Sequence, residues 1–374
     1  MARVVLLGAG HAHMPLLCES HKLVEAGHDV CVVSPRPYHY YSGMGPGMFA
    51  RRYTEGQNRF PASAIAEKNG VSFVIGKALR IDHQSNIVAL DDGGTVEYDV
   101  LSCNIGSDVV PRFPVDGGNV FPVKPIENLV AAGAFVDSFV AQNGFFPAIV
   151  IVGGGVGGSE MAANSVELAA RIGARIDSPP AVIAPRGILP GYTRGMRRRV
   201  RSLLRRRGVR IVTGRRVQSI RGGRQTVVTL DSGLEIPCDM AFLCTGVSVP
   251  GVFVASGLSA GDNPALAVGA TLQSVSAPNI LGGGDCINFL PYPLDKVGVY
   301  AVRQQEILRD NVFALATGGG QLRKFMPQKR YLVGLNMGFG NGVLGKWGVS
   351  MTGPAAFALK DYIDRGFIRS MRNC

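Results

Sequence analysis

Twice along this chain a run of aliphatic residues passes directly into a cluster of glycines. The first run is Arg3-Val-Val-Leu-Leu-Gly8-Ala-Gly10-His11-Ala-His13, and the second is Ala148-Ile-Val-Ile-Val-Gly153-Gly-Gly155-Val-Gly-Gly158-Ser-Glu160. Uninterrupted apolar runs of this length, bounded by glycine, predict strands buried on both faces. The glycines predict a tight turn into a helix, which begins near His13 in the first copy. Each unit closes on a similar phrase, Tyr98-Asp-Val-Leu-Ser-Cys-Asn-Ile-Gly106 and Cys238-Asp-Met-Ala-Phe-Leu-Cys-Thr-Gly246, so first glycine to last spans 98 and 93 residues. A third aliphatic strand, Asn279-Ile-Leu-Gly-Gly-Gly284-Asp285, ends in glycines with a carboxylate at its tip. The loop after it feeds a helix that runs from near Gly298 to about Ala316.

Strand, glycine turn and helix form a site for a phosphate-bearing ligand. The second glycine lets the backbone approach a pyrophosphate, and the helix N-terminus faces it with unpaired N–H groups. Gly153, Gly155 and Gly158 make the full fingerprint of the second copy. In the first, His13 replaces the third glycine, and two uses are open to it: beside the pyrophosphate, or in the helix start. The acidic residue usual at the end of the next strand is absent from both copies. Ser34-Pro35-Arg36 stands there in the first, with Ser34 as a shorter ribose partner, and Ala184-Pro-Arg186 in the second. Arg186 is open to two readings, a partner for a 2′-phosphate that would favour NADPH, or a flank of the turn. Asp285 and the helix start at Gly298 can address one extended, hydroxyl-bearing, partly anionic ligand from two sides.

Charge changes the picture little. The net charge of +12 over 374 residues divides into −4 for residues 1–177, +14 for 178–230, −5 for 231–320 and +7 for 321–374. Two patches thus carry the basicity, which argues against a nucleic-acid binder, whose footprint would cover a whole face. Within Arg194–Arg216, Met196, Val200, Leu203 and Leu204 fall on one helical stripe, so the arginines are expected to face water. Seven cysteines in no CxxC spacing predict reduced thiols in a cytoplasmic protein, with neither zinc site nor disulfide. Nothing resembles a signal peptide or approaches the ~20 apolar residues of a spanning helix. Residues 354–371 predict an amphipathic helix, with Phe357, Tyr362, Ile363, Phe367, Ile368 and Met371 on one side and Lys360, Arg365, Arg369 and Arg372 mainly on the other. That helix suits the cytoplasmic face of an anionic membrane, the body of the protein, or a homodimer contact. Trp347 fits an interfacial anchor or ordinary packing equally well.

In order along the chain, GxGxxH, Ile-Gly-Ser, GGGxxG, Cys-Thr-Gly, Gly-Gly-Asp and Lys296-Val-Gly-Val-Tyr-Ala-Val-Arg-Gln resemble the flavoproteins with two dinucleotide-binding domains. Within them the chain is most similar to type II NADH dehydrogenases, sulfide:quinone oxidoreductases and the oxidoreductase-like proteins joined to selenide, water dikinase. The resemblance implies an α/β fold of two tandem Rossmann-like domains, the second inserted in the first. An FAD domain would comprise 1–112 and 261–320, an NAD(P) domain 113–260, and a C-terminal segment 321–374. Gly8, Gly10 and His13 would serve the FAD pyrophosphate, Ser34, Pro35 and Arg36 the adenosine end, and Gly284 and Asp285 the ribityl chain. Gly298 would point N–H groups at the flavin with Lys296 assisting, whereas Gly153, Gly155, Gly158, Glu160, Arg186 and Gly246 would bind NADH or NADPH. The implied activity is hydride transfer from NAD(P)H to flavin and on to a quinone-like acceptor. The redox cysteine pairs of related enzymes have no counterpart here, so thiol chemistry is not expected. The alternative is a flavin-binding regulatory partner in selenium or sulfur metabolism with little turnover of its own.

Overall fold

The computed structural model describes residues 1–374 except 261, 262, 329, 347 and 373. The expected boundary at 260/261 and the role of Trp347 therefore lie outside the described residues. In chain order the principal strands are β1 (Arg3–Leu7), β2 (Asp29–Ser34), β3 (Ser72–Ile75), β4 (Val100–Cys103), β5 (Val120–Pro122), β6 (Ile149–Val152), β7 (Ala181–Ile183), β8 (Arg210–Val212), β9 (Met240–Leu243), β10 (Ile280–Gly282), β11 (Val333–Asn336), β12 (Gly342–Lys346) and β13 (Val349–Gly353). The helices that matter are α1 (Met14–Glu19), α2 (Glu127–Asn143), α3 (Val156–Arg171), α4 (Arg194–Arg206), α5 (Gly298–Thr317) and α6 (Pro354–Arg372).

The repeat seen in the sequence is a repeat of sheet topology. The first sheet runs β3-β2-β1-β4-β10 and the second β8-β7-β6-β9-β5, every neighbouring pair parallel. In both, the glycine-loop strand is central, so its carboxyl end opens at the point where strand order reverses. That is where doubly wound sheets bind ligands. The aliphatic runs sit there because strands covered on both faces must be apolar throughout: Val4 to Leu7 and Ile149 to Val152 are all buried.

Between the sheets the chain crosses twice, at Asp108 and Ser248, and the two crossings pair antiparallel. The Asp108 N–H donates to the Ser248 carbonyl (2.9 Å) and the Ser248 N–H to the Asp108 carbonyl (2.7 Å). β11–β13 form a third, antiparallel sheet at the C-terminal end, and α6 packs across it. A Cβ on Gly342 would lie 2.7 Å from the Phe357 amide nitrogen, so β12 and α6 touch through bare backbone.

α4 follows the expected pattern, with Met196, Val200 and Leu204 buried and the arginines outward. α6 does not. Lys360 is buried and donates to the Asp364 carboxylate (2.6 Å) and the Gly43 carbonyl (2.7 Å), whereas Tyr362 is 74% exposed and Ile363 is also exposed. Periodicity placed lysine in water by default, but an i,i+4 carboxylate makes a buried ammonium tolerable.

The expectation of reduced thiols throughout is corrected as well. Cys18 on α1 and Cys374 form a disulfide across 356 residues of sequence, while Cys31, Cys103, Cys238, Cys244 and Cys286 are free. Spacing rules detect local cysteine pairs; this one is made by the return of α6 to the first unit.

Candidate functional site

In the first loop Gly8 takes φ +88°. A Cβ there would stand 2.5 Å from the Asn104 carbonyl oxygen, and one on Gly10 would stand 2.2 Å from Asn104 Oδ1. Glycine is required because Asn104, leaving β4, presses into the turn. Its Oδ1 accepts from the Ala12 N–H (2.9 Å) and its Nδ2 donates to the Gly283 carbonyl (2.6 Å), tying the loops after β1 and β10 together. α5 adds two stitches: Gln304 Oε1 accepts from the Gly284 N–H (2.7 Å), and Gln305 Nε2 donates to the His11 carbonyl (2.6 Å).

His13 is buried, and its ring bonds settle its tautomer. A carbonyl can only accept, so Nδ1–H donates to Gly8 O (2.6 Å) and Nε2 accepts from the Ser102 hydroxyl (2.8 Å). Burial lowers its pKa to about 4, against a smaller opposing effect of the Gly8 bond. Both nitrogens are used inside the protein, so the ring braces the loop.

The carboxylate at the tip of the third strand has a partner that sequence reading missed. Asp285 Oδ2 accepts from Lys124 Nζ (2.7 Å) and from the Ser107 hydroxyl (2.7 Å). Burial pushes Asp285 up, but the Lys124 charge and these bonds outweigh it and hold the carboxyl below its usual value. Lys296 is close by but committed, donating to the Ile287 carbonyl, and burial lowers its pKa. Gly298 opens α5 with free space around it. At the adenosine end Ser34 is buried at the tip of β2 and Pro35 is exposed, while Arg36 forms an ion pair with Glu127 of α2 (2.8 Å).

The second loop separates its glycines by role. Gly153 (φ +122°) and Gly158 leave no room, since their Cβ atoms would lie 2.2 Å from the Cys244 carbonyl oxygen and 1.9 Å from the Gly153 carbonyl oxygen. Around Gly155, the residue before the first turn of α3, nothing lies within 4 Å. Two glycines therefore serve helix–strand packing, and the third keeps a cradle open. Gly246 is open too, and Arg186 is exposed just past β7.

Glu160, on the first turns of α3, reaches the C-terminal sheet. Its Oε1 accepts from the Asn336 N–H (2.7 Å). Burial raises its pKa to about 7, despite the lowering effect of the Lys360 charge and the Asn336 bond. Burial opposes charge on Lys360, but Asp364 and Glu160 prevail and keep its pKa above the usual value. Asp364 also accepts from the Tyr41 hydroxyl (3.0 Å). Beside this group His11 stacks on Phe367, with ring centroids 5.4 Å apart, and shares a 3.0 Å hydrogen bond with His39. Burial and the nearby Lys124 charge bring the His11 pKa to about 4, though Asp285 pulls the other way.

Four buried polar atoms at these loops have no partner among the described residues: His11 Nε2, Gln304 Nε2, Ser159 Oγ and Thr245 Oγ1. Native proteins rarely leave such atoms unpaired. With the open space at Gly155 and Gly298, each at the start of a helix, they fit one dinucleotide in each unit. Sequence reading missed Asn104, Lys124, Tyr41 and Lys360; the available signal was Asn104 itself, a polar residue directly after the aliphatic strand Val100–Cys103.

A fold of two doubly wound units with this pair of cradles defines an oxidoreductase of the flavin and nicotinamide class. The family model for pyridine nucleotide-disulphide oxidoreductases matches residues 2–314, and the chain belongs to that family. Membership implies FAD and NAD(P)H as its cofactors. It is similar to ferroptosis suppressor protein 1 of Taeniopygia guttata, with 31% identity over 58% of this chain and 57% of that protein. It is also similar to the probable ferredoxin reductase CtmF of Castellaniella defragrans, with 30% identity over 68% of this chain and 61% of that one. The chain thus spans about three-fifths of the length of these relatives. In fold it resembles the sulfide:quinone oxidoreductase of Aquifex aeolicus, with TM-score 0.80 and 18% identity over 100% of this chain and 92% of that one.

Proposed function

We propose that the protein takes hydride from NAD(P)H onto FAD and passes the electrons to a quinone-like acceptor with no cysteine in the relay. The observation that carries this reading is the junction of Glu160, Lys360, Asp364 and Tyr41. It is a polar group joining both units to α6, and the Glu160 carboxyl within it, raised by burial to about 7, exchanges a proton near neutral pH. Bound FAD supplies hydride acceptance and onward electron transfer. The chain supplies placement and protons. Asn104, Gln304 and the glycine turn hold the loops in register, the Lys124–Asp285 pair meets the hydroxyl-bearing middle of the dinucleotide, and the Gly298 helix start offers N–H groups where negative charge develops. Glu160 holds the proton that a reduced acceptor needs, and the Lys360 ammonium keeps that site polar.

The thiols support the same reading. Burial pushes Cys286 up to about 11 and Cys238 to about 12, and raises Cys103 and Cys244 as well, so none offers a thiolate near neutrality. A peripheral membrane contact belongs to this proposal. No helix among the described residues is long and apolar enough to cross a membrane, but Val349, Met351, Leu359, Tyr362 and Ile363 are all exposed on β13 and α6 in the basic C-terminal segment.

The test is anaerobic. The flavin absorbance should bleach on adding NADH or NADPH and recover with a soluble quinone analogue. Bleaching without recovery on any quinone would remove the acceptor; failure to bleach with either nucleotide would remove the reaction.

A further inference from the structure

The first glycine loop, α1, the Cys18–Cys374 bond and α6 form a closed circuit. From Gly10 the chain passes through His11 and His13 into α1, which carries Cys18. The disulfide crosses to Cys374, and α6 leads back to Phe367, whose ring stacks on His11 at 5.4 Å and lies 5.1 Å from Tyr41. α6 is therefore one wall of the flavin cradle, and its last turn is bonded to the helix that the cradle itself starts.

Among the described residues the other ties on that last turn are few. Ile368 and Met371 are buried against the core of the first unit. Arg372 donates to the Gly56 and Arg59 carbonyls, and Lys68 donates to the Cys374 carbonyl; all three contacts are exposed. Arg369, Ser370 and Arg372 face solvent, and both cysteines are only half-buried, within reach of an attacking thiolate. A helix turn held by so few buried contacts opens readily once a cross-link is removed.

We propose that Cys18–Cys374 is a redox-operated latch on the α6 wall of the flavin cradle. A dithiol reductant opens it by exchange. One thiolate attacks a sulfur of the bond and forms a mixed disulfide, releasing the other cysteine, which takes up a proton. The second thiol of the reductant then displaces the remaining cysteine as a thiol. The protein gains two electrons and two protons, and the reductant leaves as its disulfide. Opened, the last turn of α6 frays and Phe367 leaves His11; exchange with a small-molecule disulfide, which leaves as two thiols, re-forms the bond and closes the wall. The latch does not depend on which acceptor the enzyme uses.

The test uses the FAD-loaded protein, oxidised or treated with a small dithiol. In the oxidised form a thiol-alkylating reagent under denaturing conditions should label five of the seven cysteines, and peptide mapping should recover the 18–374 cross-link. Reduction should speed tryptic cleavage after Arg369 by at least tenfold and raise iodide quenching of flavin fluorescence at least twofold. Both effects should reverse on reoxidation. Cys374→Ser should behave as the reduced form and ignore the dithiol. Seven alkylated cysteines after exposure to oxidised glutathione would overturn the latch, and so would a cross-link whose reduction changes neither cleavage nor quenching. Reduced wild-type protein makes that second comparison without any variant.

Discussion

Replacing Glu160 by Gln tests the junction most directly. The amide oxygen still accepts from the Asn336 N–H, so packing is kept and only the titration is lost. In the folded protein this carboxyl has a pKa of about 7, against an ordinary value of 4.5 in the unfolded chain. Between those limits the folded state keeps a proton that the unfolded state has released, so wild-type stability falls as pH rises through this window. At 1.36 kcal/mol per pKa unit the loss is about 3 kcal/mol, complete above pH ~7.5. The variant loses nothing over the same window. An unfolding entropy of ~2.1 cal/mol/K per residue converts this difference to about 4 °C in melting temperature. Differential scanning fluorimetry of both FAD-loaded proteins should therefore show the Glu160→Gln melting temperature gaining about 4 °C on wild type between pH 4.5 and 8. A difference that stays constant across that range would refute the reasoning, because Glu160 would then titrate as an ordinary carboxyl. Quinone reduction should separate the two roles: the limb of the pH–rate profile near 7 should vanish in the variant while flavin bleaching by NAD(P)H persists.

His13 carries the opposite sign. Its folded pKa of about 4 lies below its ordinary 6.5, so its share of stability is present above pH 6.5 and is lost as pH falls toward 4, about 3 kcal/mol in all; acid titration of wild type against His13→Asn should show this slope only in wild type. Gly155→Ala should melt within about 1 °C of wild type yet raise the KM for NAD(P)H about tenfold, whereas Gly158→Ala, with its Cβ 1.9 Å from the Gly153 carbonyl oxygen, should lower the melting temperature by several degrees; equal melting curves would refute the division of roles. Lys124→Met leaves Asp285 buried without its cation and should weaken FAD retention about tenfold or more, read as FAD release by fluorescence, at the 1–3 kcal/mol expected for an unpaired buried group. Arg186→Ala should raise KM for NADPH and leave NADH unchanged if the guanidinium meets a 2′-phosphate; equal effects on both would assign it to the turn.

The sequence made the strands, the glycine turns and the tandem repeat legible because each is a local pattern. An apolar run of four or five residues ending in glycine has few other uses, and two copies at nearly equal spacing reinforce each other. What it hid was made at a distance. Lys124 sits between the units and meets Asp285 across 161 residues. Lys360 looks like a solvated residue on a helical wheel until Glu160 and Asp364 are folded around it. Glu160, which the resemblance assigned to the nicotinamide nucleotide, has its Oε1 bonded by the Asn336 N–H of the C-terminal sheet, a partner 176 residues away that no local pattern announces. His11 had no assigned use and proved to be the ring between Phe367 and His39. The cysteines misled for the same reason, since a bond joining α1 to the far end of α6 leaves no trace in spacing.

The paired crossing at Asp108 and Ser248 makes the link between the two units stiffer than a single strand would be. A unit hung from one strand can swivel about that strand, but one hung from two hydrogen-bonded antiparallel strands resists torsion and yields mainly by bending across the pair. The crossing is reinforced by charge, because the Arg36–Glu127 and Lys124–Asp285 ion pairs also join the two units, so the glycine loops keep their relative placement through backbone and side chains together.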